Sequence, residues 1–152
     1  MSLSLRYAIA DDIPHMIPLF DQLGYPVEAK DLEHRFNIFT QKEDCGLCVA
    51  VTESTVVGWI AWSKTPCFVS GKVKFRIEGL VVGHAYRRRG VGQKLMQFVE
   101  NIASQSAPSV IDLTSGLRRA QEGTHLFYKN LGYQNEGFMA KLYLRKEISS
   151  PL

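Results

Sequence analysis

The sequence predicts one α/β domain, in which four helices flank a mixed, mainly antiparallel sheet. Apolar and polar residues alternate in several short segments, while apolar residues recur at helical spacing in others. These two patterns follow one another in the order β-α-α-β-β-β-α-β-α-β. The length of 152 residues and the hydrophobic content of 45% fit a single domain over residues 1–152.

The first half of the chain is predicted to contain one strand, two helices and a hairpin. The first helix has a residue suited to capping at each end and a proline in its first turn. In chain order the elements are a strand at residues 3–9, a helix that starts after Asp11 or Asp12 and stops at Gly24, a helix at Glu28–Phe39, and strands at Leu47–Glu53 and Val56–Ser63.

The second half alternates strands with helices. A loop at Thr65–Gly71 precedes the longest predicted strand, and the last helix is closed by Gly132. The predicted elements are a strand at Val73–Val82, a helix at Val91–Ala103, a strand at Ser109–Thr114, a helix at Arg119–Leu131 and a strand at Gly137–Arg145.

The charge pattern argues against a nucleic-acid-binding domain. The formal net charge is only +3, and basic residues gather locally at Arg87–Arg89 and Arg118–Arg119. Such clusters suit a compact polyphosphate as well as a duplex, but aromatic residues are not interleaved with a basic face. Because the chain has neither a long apolar run nor a secretion signal, we expect a cytoplasmic protein without membrane contact.

The three cysteines do not predict a disulfide framework or a metal site. Cys45 and Cys48 form a Cys-x-x-Cys pair, but Cys48 enters an apolar alternation rather than a helix start. No second Cys or His pair completes a zinc site. We interpret these residues, with Cys67, as ordinary thiols and expect no metal cofactor.

The most informative motif is Arg87-Arg-Arg-Gly90-Val-Gly92, between the longest strand and a helix. The first turn of a helix has unpaired N–H groups and a dipole that favours an anion. Glycines allow a phosphate to approach the backbone, and arginines add charged hydrogen bonds. The spacing matches neither a P-loop nor a dinucleotide-binding motif, so the segment predicts a pyrophosphate site of another kind.

Two segments resemble the GNAT superfamily of acetyl-CoA-dependent N-acetyltransferases. They are Glu78-Gly-Leu-Val-Val82 with Tyr86-Arg-Arg-Arg-Gly-Val-Gly-Gln-Lys-Leu-Met96, and His125-Leu-Phe-Tyr128-Lys-Asn-Leu-Gly132-Tyr133. The resemblance covers nearly the whole chain and implies a GNAT-like sheet of about seven strands with four helices. It also implies acetyl-CoA as cosubstrate.

The resemblance implies that the main chain of Leu80 and Val82 pairs with the pantetheine arm. N–H groups of the loop would hold the pyrophosphate, and Arg87 takes the first motif position, which is commonly Gln or Arg. Arg89 is a candidate phosphate partner, whereas Arg88 is either a second one or a solvated charge. The implied cofactor-binding residues are Leu80, Val81, Val82, Arg87, Arg88, Arg89, Gly90, Val91, Gly92 and Gln93.

Amine acetylation requires a base for the amine and an acid for the departing thiolate. Glu78 shares strand parity with Leu80 and Val82 and matches a glutamate of polyamine-type members; the alternative is a surface glutamate paired with Arg76 or Lys74. Tyr128 matches the tyrosine beside the CoA sulfur, and its alternative is a core aromatic. His125 either contacts CoA or lies on the helix surface.

The sequence departs from the family pattern after the fifth strand. Thr114-Ser115-Gly116 and Thr124 stand where many members have Asn and Ala, so a hydroxyl of Thr114 or Ser115 would have to contact the pantetheine. The acceptor site would be formed by the first two helices and the loop before the longest strand. Candidate acceptor residues are Tyr25, Glu28, Trp62 and Phe68.

The resulting functional prediction is an N-acetyltransferase that acts on a primary amine of a small molecule. A protein lysine or N-terminus is a second class of acceptor. The alternative function is a CoA-binding sensor or interaction module that has the fold but no turnover. Homodimerisation is common among the proteins that the chain resembles, and the final strand could take part in it.

Overall fold

The computed structural model describes residues 2–116 and 123–151. They fall into an N-terminal unit that ends at Leu113 and a C-terminal unit that begins at Thr114. The N-terminal unit contains β1 (Ser4–Tyr7), α1 (Ile13–Leu23), α2 (Ala29–Gln41), β2 (Cys45–Thr52), β3 (Thr55–Pro66), β4 (Val73–Val82), α3 (Val91–Ser104) and β5 (Ser109–Asp112). The C-terminal unit contains α4 (Thr124–Asn130).

The five strands lie in one sheet in chain order, β1-β2-β3-β4-β5. Neighbouring strands from β1 to β4 are antiparallel, whereas β5 is parallel to β4 and pairs with it after the α3 crossover. The predicted mixed, mainly antiparallel sheet is therefore confirmed. The described residues contain five strands, fewer than the expected seven or so.

Helices cover both faces of this sheet. The first face carries α1 and α2, and its buried cluster includes Met16, Phe36, Val49 and Trp59. The second face carries α3, whose Leu95 lies close to Gly58 of β3. Burial on both sides explains the long apolar runs of β2 and β3, since a strand covered on only one face would alternate.

The predicted strand at Gly137–Arg145 is wrong. Gly137–Met139 forms a short 3₁₀ turn, and the residues after it form no strand. A strand needs a partner for its main-chain groups, but the Asn135 side chain takes both groups of Lys141, at 2.6 Å from its N–H and 3.3 Å from its carbonyl. The first part of the predicted helix at Arg119–Leu131 lies outside the described residues.

A buried carboxylate joins β1 to the start of α1. The side chain of Asp12 accepts two hydrogen bonds from the Arg6 guanidinium and one from the Ile9 N–H, each 2.8 Å long. Burial by itself would raise the pKa of Asp12, but the hydrogen bonds from Arg6 and Ile9 outweigh it and lower that pKa. Asp12 is the residue that precedes α1, but among the described residues its side chain makes no capping hydrogen bond to that helix. It instead binds the N–H of Ile9, at the start of the 3₁₀ turn Ala10–Asp12.

We expect Asp12→Asn to lower the free energy of unfolding by about 2 kcal/mol at pH 7, because it removes a charged partner from Arg6. A lowered pKa stabilises the fold above the ordinary Asp value near ~3.9, and this stabilisation is lost as pH falls through the native pKa. Urea unfolding at pH 7 and pH 3 would measure both effects. The variant should be less sensitive to acid than the parent, while Asp11→Asn, at the exposed neighbour, should match the parent. Equal losses in both variants would contradict this role.

Candidate active site

The sheet opens between β4 and β5. The two strands pair only from Val73 with Ser109 to Arg76 with Asp112. Beyond Arg76, β4 continues for six residues to Val82 without a partner from β5 in the described part of the chain. This half of β4 therefore offers main-chain groups to a ligand lying along its edge.

The main chain of Leu80 and Val82 points into this opening. Gly83 donates its N–H to Val57 of β3 at 2.8 Å, and directly opposed residues of antiparallel strands alternate between bonded and non-bonded pairs. Val82 and Leu80, opposite Gly58 and Ile60, occupy the non-bonded positions. Their N–H and carbonyl groups consequently face away from β3, as the pairing predicted for the pantetheine arm requires, while those of Val81 face β3.

A β-bulge sets the position of Glu78. Ala61 pairs with Gly79 and Trp62 with Ile77, which leaves Glu78 without a cross-strand partner. Its carboxylate accepts a 2.6 Å hydrogen bond from Ser63 on the face that α1 and α2 cover. The predicted parity is wrong: Leu80 and Val82 turn their side chains to the opposite face, because the bulge shifts the alternation by one residue.

The cations that could have neutralised Glu78 bind another carboxylate. Arg76 lies 3.3 Å and Lys74 3.5 Å from oxygens of Asp112 on β5. Within the described residues, the hydrogen bond from Ser63 is the polar contact of the Glu78 side chain. The predicted alternative is thus wrong in its pairing with Arg76 or Lys74, but Glu78 is on the surface as that alternative stated, and its exposed carboxylate is accessible to a substrate.

The arginine–glycine loop leads directly into the N-terminus of α3. Gly90 precedes the helix with φ of 81°, and no side chain of a described residue caps this end. The first helical hydrogen bond runs from Lys94 to the Gly90 carbonyl, so the N–H groups of Val91, Gly92 and Gln93 precede the intrahelical ladder. Among the described residues, no atom lies within 4 Å of where a Cβ of residue 90 would be, so the space beside Gly90 is open in that part of the chain.

The three arginines of the loop have different surroundings. Arg87 donates from Nε to the Val82 carbonyl at 3.1 Å, so its side chain braces the loop against the end of β4. Arg88 is exposed in a left-handed conformation with φ of 62°, which is uncommon for a residue with a side chain. Arg89 lies 5.8 Å from the ring centre of Tyr86. Among the described residues, Arg88 and Arg89 make no hydrogen bond to the end of β4.

Tyr128 lies in the C-terminal unit, on α4. Its ring contacts Phe127 and Tyr133 in edge-to-face pairs, with centroids 5.1 and 6.1 Å away. The Tyr133 N–H bonds to the Tyr128 carbonyl at 3.0 Å, closing the helix as the motif predicts. His125 bonds through Nε2 to the carbonyl of Gly116, and the buried Ser115 hydroxyl has no partner among the described residues.

The acceptor candidates differ in exposure. Tyr25 and Phe68 are exposed, and Glu28 precedes α2 as its N-cap residue. Trp62 is 4% exposed and packs against Tyr7 and Phe98 on the face of the sheet opposite Glu78. The structure thus places Trp62 in the core. The sequence did not indicate Ser63 or Asp112 as residues of the site. Gly79, a glycine within a strand, was the available signal of the bulge at Glu78.

A cavity of about 490 Å³ lies at the opposite end of the sheet from the arginine–glycine loop. It is lined by the start of β2 and by Tyr7, Lys64, Phe75 and Ile102, and none of the predicted cofactor residues lines it. Cys45 lies there as well, whereas burial raises the pKa of Cys48 to about 12. All three cysteines are free thiols, as predicted.

In the described ranges, the structure contains no group of three or more side chains that could hold a metal ion. None of the helices in those ranges has the length and apolar character needed to cross a bilayer.

Comparison with known proteins identifies the family. Residues 13–133 match the sequence profile of the acetyltransferase (GNAT) family. The chain belongs to this family. The match includes β4, the arginine–glycine loop and α4. It places this GNAT protein in an acetyltransferase family, as the two motifs predicted. No curated protein has a sequence that matches this chain significantly.

Solved structures show the same fold. A GNAT family acetyltransferase from Staphylococcus aureus is 24% identical, with a TM-score of 0.73 over 93% of this chain and 100% of that one. A putative acetyltransferase from Agrobacterium tumefaciens is 20% identical, with a TM-score of 0.80 over 94% and 99%. Glucosamine-6-phosphate N-acetyltransferase from Arabidopsis thaliana is 19% identical, with a TM-score of 0.72 over 95% and 100%. These identities support the GNAT fold of this chain and carry no information about its acceptor.

Proposed function

We propose that this GNAT protein transfers an acetyl group from acetyl-CoA to the primary amine of a small molecule, by direct attack of the amine in a ternary complex. The observation that carries the proposal is the open edge of β4, which continues into an uncapped helix N-terminus. Acetyl-CoA supplies an activated acyl group, and its transfer to the amine releases CoA as a thiol. A protein lysine or N-terminus is the less favoured acceptor.

The surroundings of the opening fit the two ends of the cosubstrate. Leu80 and Val82 offer main-chain groups to the amides of a pantetheine arm, with the Val82 carbonyl already bonded to Arg87. The free N–H groups at the start of α3 suit a pyrophosphate. Arg88 and Arg89 add positive charge beside them, while Arg87 holds the loop to β4. Val81 would not donate or accept main-chain hydrogen bonds to the pantetheine arm, because its N–H and carbonyl face β3.

Glu78 is the proposed base. An alkylamine has a pKa near ~10.4, so at neutral pH nearly all of it is protonated and cannot attack a carbonyl. The Glu78 carboxylate lies beside the opening and accepts its hydrogen bond from Ser63, which leaves lone pairs for the ammonium group of a substrate. It would take the proton directly or through one water molecule.

Tyr128 is the proposed acid for the departing thiolate. Its assignment depends on the resemblance of the α4 motif to that of GNAT enzymes. A phenol with a pKa near ~10 can donate a proton to a thiolate whose conjugate acid lies near ~8.5. The Ser115 hydroxyl, buried and without a partner in the described part of the chain, is the proposed substitute for the missing asparagine contact.

The test combines acetyl-CoA titration by calorimetry with a thiol-release assay over a panel of small amines. The proposal requires saturable acetyl-CoA binding and amine-dependent release of CoA. Binding without turnover on any amine would instead support the sensor function. Absence of acetyl-CoA binding would overturn both functions.

Tyr128→Phe is expected to lower kcat about 100-fold while leaving the dissociation constant of acetyl-CoA within about threefold of the parent value, because only proton donation is lost. Steady-state thiol release and calorimetry on the same preparation would measure the two effects. Tyr133→Phe, in the same aromatic cluster, is the matched control. Equal losses in both variants would indicate a packing role for Tyr128.

A further inference from the structure

A row of charged side chains follows β4 away from the opening. Glu78, Arg76 and Lys74 project from the same face of the sheet. Ser63, which bonds to Glu78, is the cross-strand partner of Arg76, and Arg76 shares Asp112 with Lys74. Nearer the middle of β3, α1 and α2 cover this same face of the sheet. Ala61, two residues before Ser63, packs there against the buried cluster of α1 and α2.

The end of the row away from Glu78 carries two cations and one carboxylate, whereas the four charged side chains together, with Glu78 included, are neutral. Lys74 and Arg76 share the single carboxylate of Asp112, so within the described residues two cations face one anion. Each cation makes one contact with Asp112, at 3.5 and 3.3 Å, so among the described residues donors of both side chains remain without a carboxylate partner. The side chains of all three residues are 35–38% exposed, so a solute can reach them.

We propose that Arg76 and Lys74 form a subsite for an anionic group of the acceptor. The acceptor is then a small amine that also carries a carboxylate or phosphate, and a plain polyamine is disfavoured. This inference builds on the proposed acetyl transfer. The amine would lie at Glu78, next to the open half of β4, and the anion would lie farther from it along the strand.

The strand register gives the backbone spacing between the two positions. Glu78 and Arg76 are two residues apart on a strand, which corresponds to about 7 Å. An extended chain of five carbons between amine nitrogen and carboxylate oxygen spans about this distance, as in 5-aminopentanoate.

The experiment compares matched acceptors on the full chain with saturating acetyl-CoA. Pentylamine and cadaverine carry no anionic group, whereas 5-aminopentanoate carries a carboxylate and 3-aminopropyl phosphate carries a phosphate. We expect kcat/KM for at least one anionic amine to exceed that for pentylamine by about tenfold or more. The better of the two identifies the anion. A preference for pentylamine or cadaverine would overturn the inference.

Variants then assign the preference to the row. Arg76→Gln and Lys74→Gln should each raise KM for the preferred anionic amine about tenfold and leave KM for pentylamine within about twofold. Asp112→Asn should act in the opposite direction, lowering that KM about threefold, because it frees both cations. Lys64→Gln is the matched control, since Lys64 lies over the Phe75 ring on the other face.

The outcomes separate this inference from the proposed function. Turnover of pentylamine with no response of the acceptor preference to Arg76→Gln, Lys74→Gln and Asp112→Asn would overturn the subsite alone. If no amine is turned over, calorimetry of 5-aminopentanoate, 3-aminopropyl phosphate and pentylamine against the acetyl-CoA-loaded protein still decides. Tighter binding of an anionic amine, lost in Arg76→Gln, would support the subsite, and equal binding of all three would overturn it.

Discussion

Replacing Gly90 by glutamate is expected to weaken acetyl-CoA binding at least about 100-fold. The new carboxylate would lie at the N-terminus of α3, where the proposed pyrophosphate binds. Two like charges about 5 Å apart repel by roughly 3 kcal/mol at an effective dielectric constant of about 20, and about 1.4 kcal/mol is a tenfold change in affinity. Calorimetric titration would measure the loss directly.

Two variants separate charge from backbone strain in this prediction. Gly90→Gln has the same shape and the same left-handed strain without the charge, so its loss should be about tenfold or less. Gly71→Glu introduces the same charge at a glycine with φ of 70° and open surroundings, in the loop between β3 and β4. It should bind acetyl-CoA like the parent. Equal binding by Gly90→Glu and Gly90→Gln would contradict the phosphate site.

The glutamate at residue 90 should not unfold the protein. A negative charge near a helix N-terminus interacts favourably with the helix dipole, by about 0.3–1 kcal/mol, which offsets part of the strain at a positive φ. Thermal unfolding without ligand should therefore be similar for the Glu and Gln variants. Acetyl-CoA should stabilise the parent and Gly71→Glu most, Gly90→Gln by at most about 1.4 kcal/mol less, and Gly90→Glu least, since stabilisation by a ligand follows its affinity for the native state.

Glu78→Gln is expected to lower kcat/KM for the best amine about 100- to 1000-fold at pH 7, because the amide cannot take a proton from the substrate. The amide oxygen still accepts the Ser63 hydrogen bond, so the bulge is preserved. The deficit should shrink as pH rises from 7 to 9, since the neutral fraction of an amine with a pKa near ~10.4 grows about tenfold per pH unit. Initial rates over this pH range would test both statements.

A purely structural role for Glu78 would give a deficit independent of pH. Ser63→Ala, which keeps the carboxylate but removes the contact that orients it, should cost about fivefold in kcat/KM. Glu53→Gln, at the exposed turn between β2 and β3, removes the same charge outside the opening and should match the parent. A loss in Ser63→Ala as large as that in Glu78→Gln would indicate that the hydrogen bond, and not the base, matters.

Elements with strong local patterns were predicted closely. β4 has the predicted bounds, Val73–Val82, and α3 differs from its prediction by one residue at its end. These segments combine regular apolar spacing with clear stop signals. The prediction of a strand at Gly137–Arg145 was wrong because a strand is stable only when it pairs with another strand. The local sequence pattern contains no information about such a partner.

The site was predicted in part. The sequence indicated the arginine–glycine loop before α3, Glu78, Tyr128 and the strand Val73–Val82 as candidate site segments, because each is part of a short contiguous motif. It did not locate Ser63, Asp112 or the cation pair of Arg76 and Lys74, since their contacts join residues up to 36–38 positions apart in the chain. Nor did it predict that Arg87 uses its Nε to brace the loop against β4.

By itself, then, the sequence determined the order and type of most elements, the position of the arginine–glycine loop before α3 and the GNAT resemblance. These properties depend on residue spacing over one strand or one helix, which a linear pattern records. The tertiary structure decided the opening of β4 from β5, the side to which Glu78 points and the charge that surrounds it. Each of these depends on strand register, and one bulged residue is enough to move a side chain from one face of the sheet to the other.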